Sequence, residues 1–267
     1  MSIWENIRGF QEFSMCDWPG KVAAVIFLGG CNFRCPTCHN WTLATNSGTL
    51  DRIPRHRIMD YLEASKQWLD GVVITGGEPT ITPGLSILLK EVKALGLPAN
   101  INTNGSHPEV IGDLLKDELV DMVSVDVKGP WDKYPELTRR SKLATARAEA
   151  DLSLIFEFAK LYPGKFYFRT TAVPMLTDED LAICRSYLPT GHELHIQEYR
   201  EPDHLKDEET VNSEFGMVLV IDKKTNKDVL ELPAFKATLA LRDMGVSDPI
   251  SAILNWGTPE FTIINNL

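Results

Sequence analysis

The chain has 267 residues, of which 43% are hydrophobic and 24% are charged, and its formal net charge at pH 7 is −10. This composition is typical of a globular protein with one large domain, or one domain and a small appendage. The negative charge argues against nucleic acid as the main partner, because phosphate binding needs a basic face. No apolar run is long enough to span a membrane and the start lacks a signal-peptide core, so we expect a cytoplasmic protein without a membrane partner.

Buried strands alternate with helices up to about residue 200. Short apolar runs rich in β-branched residues predict six strands buried on both faces, as in a parallel sheet. These runs are residues 21–28, 71–75, 99–102, 122–127, 166–173 and 193–199. Apolar residues at helical spacing predict helices at 55–69, 82–95, 108–116, 143–161 and 177–189. Thr82 and Pro83 are expected to begin the second helix, as N-cap and first-turn proline.

Polar motifs follow four consecutive predicted strands at their C-terminal ends. They are residues 31–38, 76–78, 103–105, and Asp126 with Lys128. In a βα barrel those ends form the single face that carries the active site, whereas a doubly wound sheet collects ligand groups mainly at one switch point. The motifs therefore predict an α/β fold, a partial (β/α)6 barrel of TIM type, over residues 1–202.

The C-terminal extension, residues 203–267, has a different pattern. An acidic linker leads to two short apolar runs, 217–221 and 229–232, which predict a hairpin. A helix is expected at 233–245. Residues 246–267 contain strand-like and helix-like segments, and their pattern does not define the order of the elements. We expect this small α+β extension to lie beside the open edge of the barrel or to help dock a partner.

Three of the five cysteines fall within eight residues, at Cys31, Cys35 and Cys38. Soft thiolates this close can ligate one metal cluster, and they leave one of the usual four positions open. A structural zinc site needs a fourth ligand, and the only nearby candidate, His39, directly follows Cys38. The spacing therefore favours a [4Fe–4S] cluster with an open iron over zinc. Cys184, among apolar residues of a predicted helix, is expected to be a core residue.

This cysteine spacing, followed by Gly76-Gly77-Glu78-Pro79, resembles the radical S-adenosylmethionine (radical SAM) superfamily, and within it the activating enzymes of glycyl-radical enzymes. The resemblance covers about residues 6–202 and is greatest to the activases of anaerobic ribonucleoside-triphosphate reductase. Further matching motifs are Asp17-Trp18-Pro19-Gly20, Cys38-His39-Asn40, Thr103-Asn104-Gly105 and Asp126-Val127-Lys128.

The resemblance implies a specific activity. Cys31, Cys35 and Cys38 would hold a [4Fe–4S] cluster that binds S-adenosylmethionine, and a flavodoxin- or ferredoxin-type donor would supply one electron. The resulting 5′-deoxyadenosyl radical would abstract a hydrogen from a glycine of a partner glycyl-radical enzyme, expected to be anaerobic ribonucleotide reductase. Two alternatives remain: a radical SAM enzyme acting on a small molecule or peptide, such as a deazapurine synthase, and a non-catalytic metal-binding interaction protein.

The resemblance also implies which residues contact the cofactor. They are Gly76, Gly77, Glu78, Thr103, Asn104, Asp126 and Lys128. Arg169, on the fifth predicted strand, is a further candidate for a contact with the cofactor or with the substrate peptide. Asp17 matches a position near the glycyl loop of the substrate. Some activases bind a monovalent cation between the match of Asp126 and an acid before Thr103, but this chain has the neutral Asn102 there. Thr37 stands where the superfamily usually has an aromatic residue, which leaves the adenine contact open.

Overall fold

The computed structural model describes residues 2–139, 142–205, 217–222, 227–233 and 261–266. The chain divides into two compact units. The first consists of Met1–Cys35, Asn40–Ala172 and Asp178–Glu198. The second consists of Pro36–His39, Val173–Thr177 and Tyr199–Leu267.

The first unit is built on a seven-stranded sheet whose strands lie side by side in chain order. The strands are β1 (Ile7–Ser14), β2 (Ala23–Leu28), β3 (Gly71–Gly76), β4 (Ala99–Thr103), β5 (Met122–Asp126), β6 (Phe166–Thr171) and β7 (Leu194–Gln197). Strands β2 to β7 are parallel, and β1 pairs with β2 antiparallel. The predicted α/β class and the six parallel strands are confirmed, and β1 and β7 form the two edges of an open sheet.

The extra edge strand, β1, was not predicted from the sequence. Its central residues Gln11, Glu12 and Phe13 are exposed, and only its two end residues are buried. Such a strand lacks the apolar run that marked the others. Pairing with β2, rather than its own pattern, therefore makes it a strand.

Helices connect the parallel strands. They are α1 (Trp41–Thr45), α2 (Arg55–Ser65), α3 (Leu85–Ala94), α4 (Pro108–Lys116), α5 (Tyr134–Thr138), α6 (Lys142–Leu161) and α7 (Asp178–Tyr187). The predicted start of α3 at Thr82 was wrong. Gly84, with φ of 86°, is the N-cap residue, and Thr82 instead ends a 3-10 turn by donating its N–H to Pro79 O at 3.0 Å. Cys184 of α7 is fully buried, as predicted.

The two faces of the sheet carry different side chains. One face packs against the helices through a large apolar core that includes Ile26, Ile74 and Ile101. On the opposite face, Trp18 packs with Val25 and Val73 near the N-terminal ends of the strands. Polar residues occupy the rest of that face: Asn100 lies beside Val73, and Thr75, Asn102, Ser124 and Asp126 follow towards the C-terminal ends. The apolar packing thus leaves most of the polar groups at the end where the motifs lie.

The second unit contains a three-stranded antiparallel sheet in the order β10-β8-β9. Its strands are β8 (Met217–Asp222), β9 (Lys227–Pro233) and β10 (Phe261–Asn266). The pairing of β8 with β9 confirms the predicted hairpin strands, while β10 was missed. The helix predicted at 233–245 lies outside the described residues. In the part of the chain that the structure describes, no helix has both the length and the hydropathy to cross a membrane.

Candidate active site

The motif residues of the first unit lie along one end of the sheet, at the C-terminal ends of its strands, because these strands are parallel and in register. Leu28 pairs with Gly76, Thr103 with Val125, and Asp126 with Arg169. The loops that follow these strands therefore leave the sheet at the same end. This arrangement places the start of the cysteine loop, up to Cys35, at the same end of the sheet as the glycine turn and the charged residues of β5 and β6, as the barrel prediction required.

Gly76 and Gly77 allow the end of β3 to approach the end of β2 closely. Gly76 has φ of 121°, and a Cβ there would lie 2.2 Å from Leu28 O. A Cβ on Gly77 would lie 1.8 Å from Gly30 O. The N–H groups of Gly77 and Glu78 donate to Leu28 O and Gly30 O, both at 2.8 Å. Backbone packing between the two strand ends thus requires glycine at both positions, whether or not a ligand also approaches them.

Glu78 links the turn after β3 to the turn after β4. Its side chain is 1% exposed. One carboxylate oxygen, Oε1, accepts hydrogen bonds from Thr80 N (3.1 Å), Thr80 Oγ1 (2.6 Å) and Thr103 Oγ1 (2.7 Å). The other, Oε2, accepts from the backbone N–H of Asn104 at 2.7 Å. The carboxylate therefore has four neutral donors, all from the protein.

Burial raises the pKa of Glu78 above its ordinary value, because the ionised form loses its hydration. The hydrogen bonds from Asn104, Thr80 and Thr103 act in the opposite direction but do not outweigh burial. The predicted contact of this side chain with the cofactor stays a prediction. The carboxylate faces inward and holds Thr103 and Asn104 in place.

Cys31, the first residue of the cysteine motif, is half-buried after β2. Its sulfur lies 3.3 Å from the backbone N–H of Phe33. Burial raises the pKa of the Cys31 thiol to about 11, with smaller contributions from the negative charges of Glu78 and Cys35, while the Phe33 N–H and Lys128 lower it. Coordination to a metal acts in the other direction, because a coordinating thiol is deprotonated.

Cys35 and Cys38 are also half-buried, as is Thr37. Cys35 belongs to the first unit and Cys38 to the second. Within the described residues, no group of three or more His, Cys, Asp or Glu side chains is arranged to hold one metal ion. A [4Fe–4S] cluster is a different arrangement, in which each thiolate binds an iron of its own.

Asp126 and Arg169 form the charged part of the site. Arg169 Nε donates to Asp126 Oδ1 at 2.6 Å, and Lys128 Nζ donates to Oδ2 at 3.0 Å. Burial alone would raise the pKa of Asp126, but the positive charges of Arg169 and Lys128 outweigh it and hold that pKa well below its ordinary value. Burial would lower the pKa of Arg169, but Asp126, followed by Asp17, raises it. Asp17 thus contributes to the field of this cluster, and its carboxylate accepts from Ser14 Oγ.

Asn102 stands where a cation-binding acid was expected in the family pattern. Its Oδ1 is buried and has no hydrogen-bond partner, and its Nδ2 is 3.5 Å from Thr75 Oγ1. The positive charge next to Asp126 comes from Lys128 and Arg169. The monovalent cation therefore stays a prediction, and Asn102 Oδ1 would be its neutral ligand beside the carboxylate of Asp126.

Asn32, Asn40 and Ser106 take part in the hydrogen bonds of this region and were not predicted as site residues. Asn32 joins the cysteine loop to the turn after β4 by hydrogen bonds to Asn104 and Ser106. Asn40 Nδ2 donates to Gly76 O at 2.9 Å. The signal available in the sequence was only their position beside matched motif residues.

Comparisons with known proteins agree with this geometry. The sequence model of the Radical SAM superfamily matches residues 25–188. The chain therefore belongs to the radical SAM superfamily. The predicted resemblance is confirmed, and the cofactors of the chain are a [4Fe–4S] cluster and S-adenosylmethionine. The chemistry of the donor set fits them, since three thiols supply soft ligands and the acidic and basic side chains complement a charged cofactor.

Two relatives have names that specify an activity. A Methanocaldococcus jannaschii protein, provisionally named glycyl-radical enzyme activating enzyme, is 38% identical over 178 residues, which cover 65% of this chain and 71% of that protein. The pyruvate formate-lyase-activating enzyme of Clostridium pasteurianum is 27% identical over 184 residues, which cover 66% of this chain and 72% of the relative. Among solved structures, Streptococcus suis SuiB bound to its precursor peptide SuiA has 19% identity and a TM-score of 0.47, and the match covers 66% of this chain and 39% of SuiB.

Proposed function

We propose that this radical SAM enzyme activates a glycyl-radical enzyme by abstracting a hydrogen atom from a glycine of that partner. The observation that carries the proposal is the end of the sheet where Cys31 and Cys35, the glycine turn and the Asp126–Arg169–Lys128 cluster lie within the first unit. The similarity to named activating enzymes supports the choice of a protein glycine as substrate.

The cysteines Cys31, Cys35 and Cys38 would hold three irons and leave the fourth iron for S-adenosylmethionine. When bound and reduced by one electron, the cluster would cleave S-adenosylmethionine to methionine and a 5′-deoxyadenosyl radical, which would take the hydrogen. The protein keeps the reacting groups in place and excludes water. Both tasks suit half-buried cysteines on a loop that is hydrogen-bonded to two neighbouring strand ends.

The remaining residues would orient S-adenosylmethionine. Backbone carbonyls beside Gly76 and Gly77 are acceptors suited to its ammonium group, and the ammonium of Lys128 suits its carboxylate. Asp126 already accepts one hydrogen bond on each oxygen, but an ionised carboxylate has about four acceptor positions, so ribose hydroxyls can still bind. Arg169 would hold Asp126 ionised and in position. Thr103 and Asn104, fixed by Glu78, would line the opposite side.

Anaerobic ribonucleotide reductase is our first candidate partner, and a flavodoxin- or ferredoxin-type protein is the candidate electron donor. Both proteins would meet the enzyme in the cytoplasm. Asp17, whose charge acts on Arg169, would lie near the glycyl loop of the substrate. These assignments come from the family resemblance.

Cluster binding is the first test. After anaerobic reconstitution with iron and sulfide, the protein should contain four irons and show a reduced-cluster signal in electron paramagnetic resonance. With dithionite it should cleave S-adenosylmethionine to methionine and 5′-deoxyadenosine. Cys35→Ser should lose both properties, whereas Cys184→Ser, a change at a buried core cysteine, should keep them. A protein that bound one equivalent of zinc and did not cleave S-adenosylmethionine would refute the proposed radical SAM activity.

Partner activation is the second test. Mixing the reduced enzyme, S-adenosylmethionine and the candidate reductase should produce the doublet signal of a glycyl radical on the reductase. The 7-carboxy-7-deazaguanine synthase of Flavobacterium psychrophilum is 26% identical over 132 residues, covering 48% of this chain and 50% of that enzyme. Turnover of a deazapurine precursor, without a radical on any protein, would replace the activase proposal with that chemistry.

The domain organisation is also a proposal: a radical SAM domain at 1–202 and an extension at 203–267 that helps to dock the partner. The three-stranded sheet of β8, β9 and β10 gives the extension structure of its own. Deleting residues 206–267 should leave cleavage of S-adenosylmethionine intact and weaken partner activation. Unchanged activation would remove the docking role.

A further inference from the structure

We propose that Asn32 and Asn104 form an amide clamp that fixes the first cysteine of the cluster loop and raises the reduction potential of the cluster through Cys31. The inference rests on the proposed role of Cys31 as a cluster ligand. It assigns both asparagines as positioning residues, which act on the cluster through Cys31.

The clamp joins two loops that are not neighbours in the sheet. Asn32 follows β2 and Asn104 follows β4, and β3 lies between those strands. Their contact is possible because the turn after β3 consists of Gly76 and Gly77, which pack directly on the end of β2. A side chain at Gly77 would meet Gly30 O at 1.8 Å and would force the loops apart.

The hydrogen bonds determine how each amide is turned. Asn104 Oδ1 accepts from the backbone N–H of Ser106 at 3.0 Å, so its Nδ2 must point the other way. That Nδ2 donates to Asn32 Oδ1 at 2.9 Å. Asn32 Nδ2 in turn donates to Ser106 Oγ at 2.7 Å, and Ser106 Oγ lies 3.0 Å from His107 Nδ1. Every donor in this set faces an acceptor, and Asn104 and Ser106 are each only 7% exposed.

The orientation of Asn104 directs an N–H group at the ligand sulfur. Its Nδ2 lies 4.0 Å from Cys31 Sγ, and the backbone N–H of Phe33 approaches the same sulfur at 3.3 Å. Asn32 Oδ1 lies 3.9 Å from that sulfur and accepts from Asn104 Nδ2, so Asn104 and Phe33, and not Asn32, present N–H groups to it. Hydrogen bonds to cluster sulfurs are among the features that set the reduction potential of an iron–sulfur site. They favour the reduced cluster, which carries the extra negative charge, and therefore raise the potential.

Glu78 holds the backbone on which the clamp residue Asn104 stands. Its Oε2 accepts from the backbone N–H of Asn104, and its Oε1 accepts from Thr103 Oγ1. The backbone of Asn104 is thus held by a buried carboxylate while its side chain reaches Cys31. A residue that only filled space would need neither constraint.

A redox titration of the reconstituted full-length protein tests the inference, with the reduced cluster followed by electron paramagnetic resonance. Asn104→Leu removes the N–H that faces Cys31, so the midpoint potential should become more negative. At the wild-type midpoint, the ratio of reduced to oxidised cluster should fall several-fold. Asn104→Ser, which is polar but too short to reach the sulfur, should shift the potential in the same direction.

Ser106→Ala is the matched control. It removes the hydrogen bond that Asn32 Nδ2 donates, but it keeps the bond between Asn104 and Asn32 and the backbone N–H that orients Asn104. The N–H that faces the sulfur therefore stays in place, and the potential should stay near the wild-type value at equal iron content. Equal potentials in wild type, Asn104→Leu and Asn104→Ser would overturn the inference while leaving the proposed function intact. A wild-type protein that binds no [4Fe–4S] cluster would instead overturn the proposed function.

Discussion

Two carboxylates at the same end of the sheet have opposite surroundings. Glu78, after β3, is buried and accepts hydrogen bonds from neutral donors only, and its pKa is raised. Asp126, at the end of β5, is 26% exposed in its side chain and lies between Arg169 and Lys128, and its pKa is lowered. Glu78 therefore holds two turns together, whereas Asp126 lies between two positive charges at the proposed binding site.

The largest effect on stability is expected at Asp126. Asp126→Asn removes the negative charge but leaves Arg169 and Lys128, so two cations lose their counter-charge. Breaking such a pair should lower the free energy of unfolding by about 2–4 kcal/mol, somewhat less than for a fully buried pair. Urea unfolding of the metal-free protein at pH 7 measures the change. A loss below that of Glu78→Gln would reverse the ranking.

Glu78→Gln should have the next largest effect. Glutamine has one carboxamide oxygen, so its NH₂ group must face at least one N–H or O–H that Glu78 now accepts. A buried donor without an acceptor costs about 1–3 kcal/mol. The same unfolding measurement applies, with Glu63→Gln, at an exposed surface ion pair, as the control that should change little. No loss at Glu78 would mean that the carboxylate does not brace the two turns.

The loss of stability caused by each substitution should depend on pH differently for the two carboxylates. The pKa of Glu78 is raised in the folded state, so at a pH above the ordinary pKa of glutamate the folded protein binds more protons than the unfolded protein. Proton binding by Glu78 therefore stabilises the fold at low pH, and this stabilisation is lost as the pH rises. The cost of Glu78→Gln should therefore be larger at pH 5 than at pH 8. For Asp126 the folded-state pKa is lowered, so its contribution is lost only as pH falls below the ordinary value. The cost of Asp126→Asn should be the same at pH 5 and pH 8, and a dependence like that of Glu78 would contradict the assignment.

The smallest effect is expected for Lys128→Met. Arg169 still neutralises Asp126 in this variant, and the Lys128 side chain is 30% exposed, so the loss should be about 1 kcal/mol or less. Binding of S-adenosylmethionine to the reconstituted enzyme should weaken much more than stability, because the ammonium would pair with its carboxylate. Lys93→Met, at the ion pair with Asp121 on the N-terminal side of the sheet, is the control that should leave binding unchanged.

Motif positions were predictable, whereas the partners of each side chain were not. Gly76, Thr103 and Asp126 could be placed at one end of the sheet because strand periodicity and order are local signals. The donors to Glu78 could not, since Thr103 and Asn104 are 25 and 26 residues away in the chain. The hydrogen bonds by which Glu78 holds the turn after β4 therefore became known only from the structure.

The sequence by itself determined the superfamily, the alternation of strands and helices, and the four motifs at strand ends, because apolar periodicity and cysteine spacing are written in short segments. Only the tertiary structure decided that β1 and β10 are strands, since each depends on a partner strand. It also decided that Arg169 pairs with Asp126, 43 residues earlier. Hydrogen bonds and ion pairs act over a few ångströms, so their partners become known only when distant segments have been brought together.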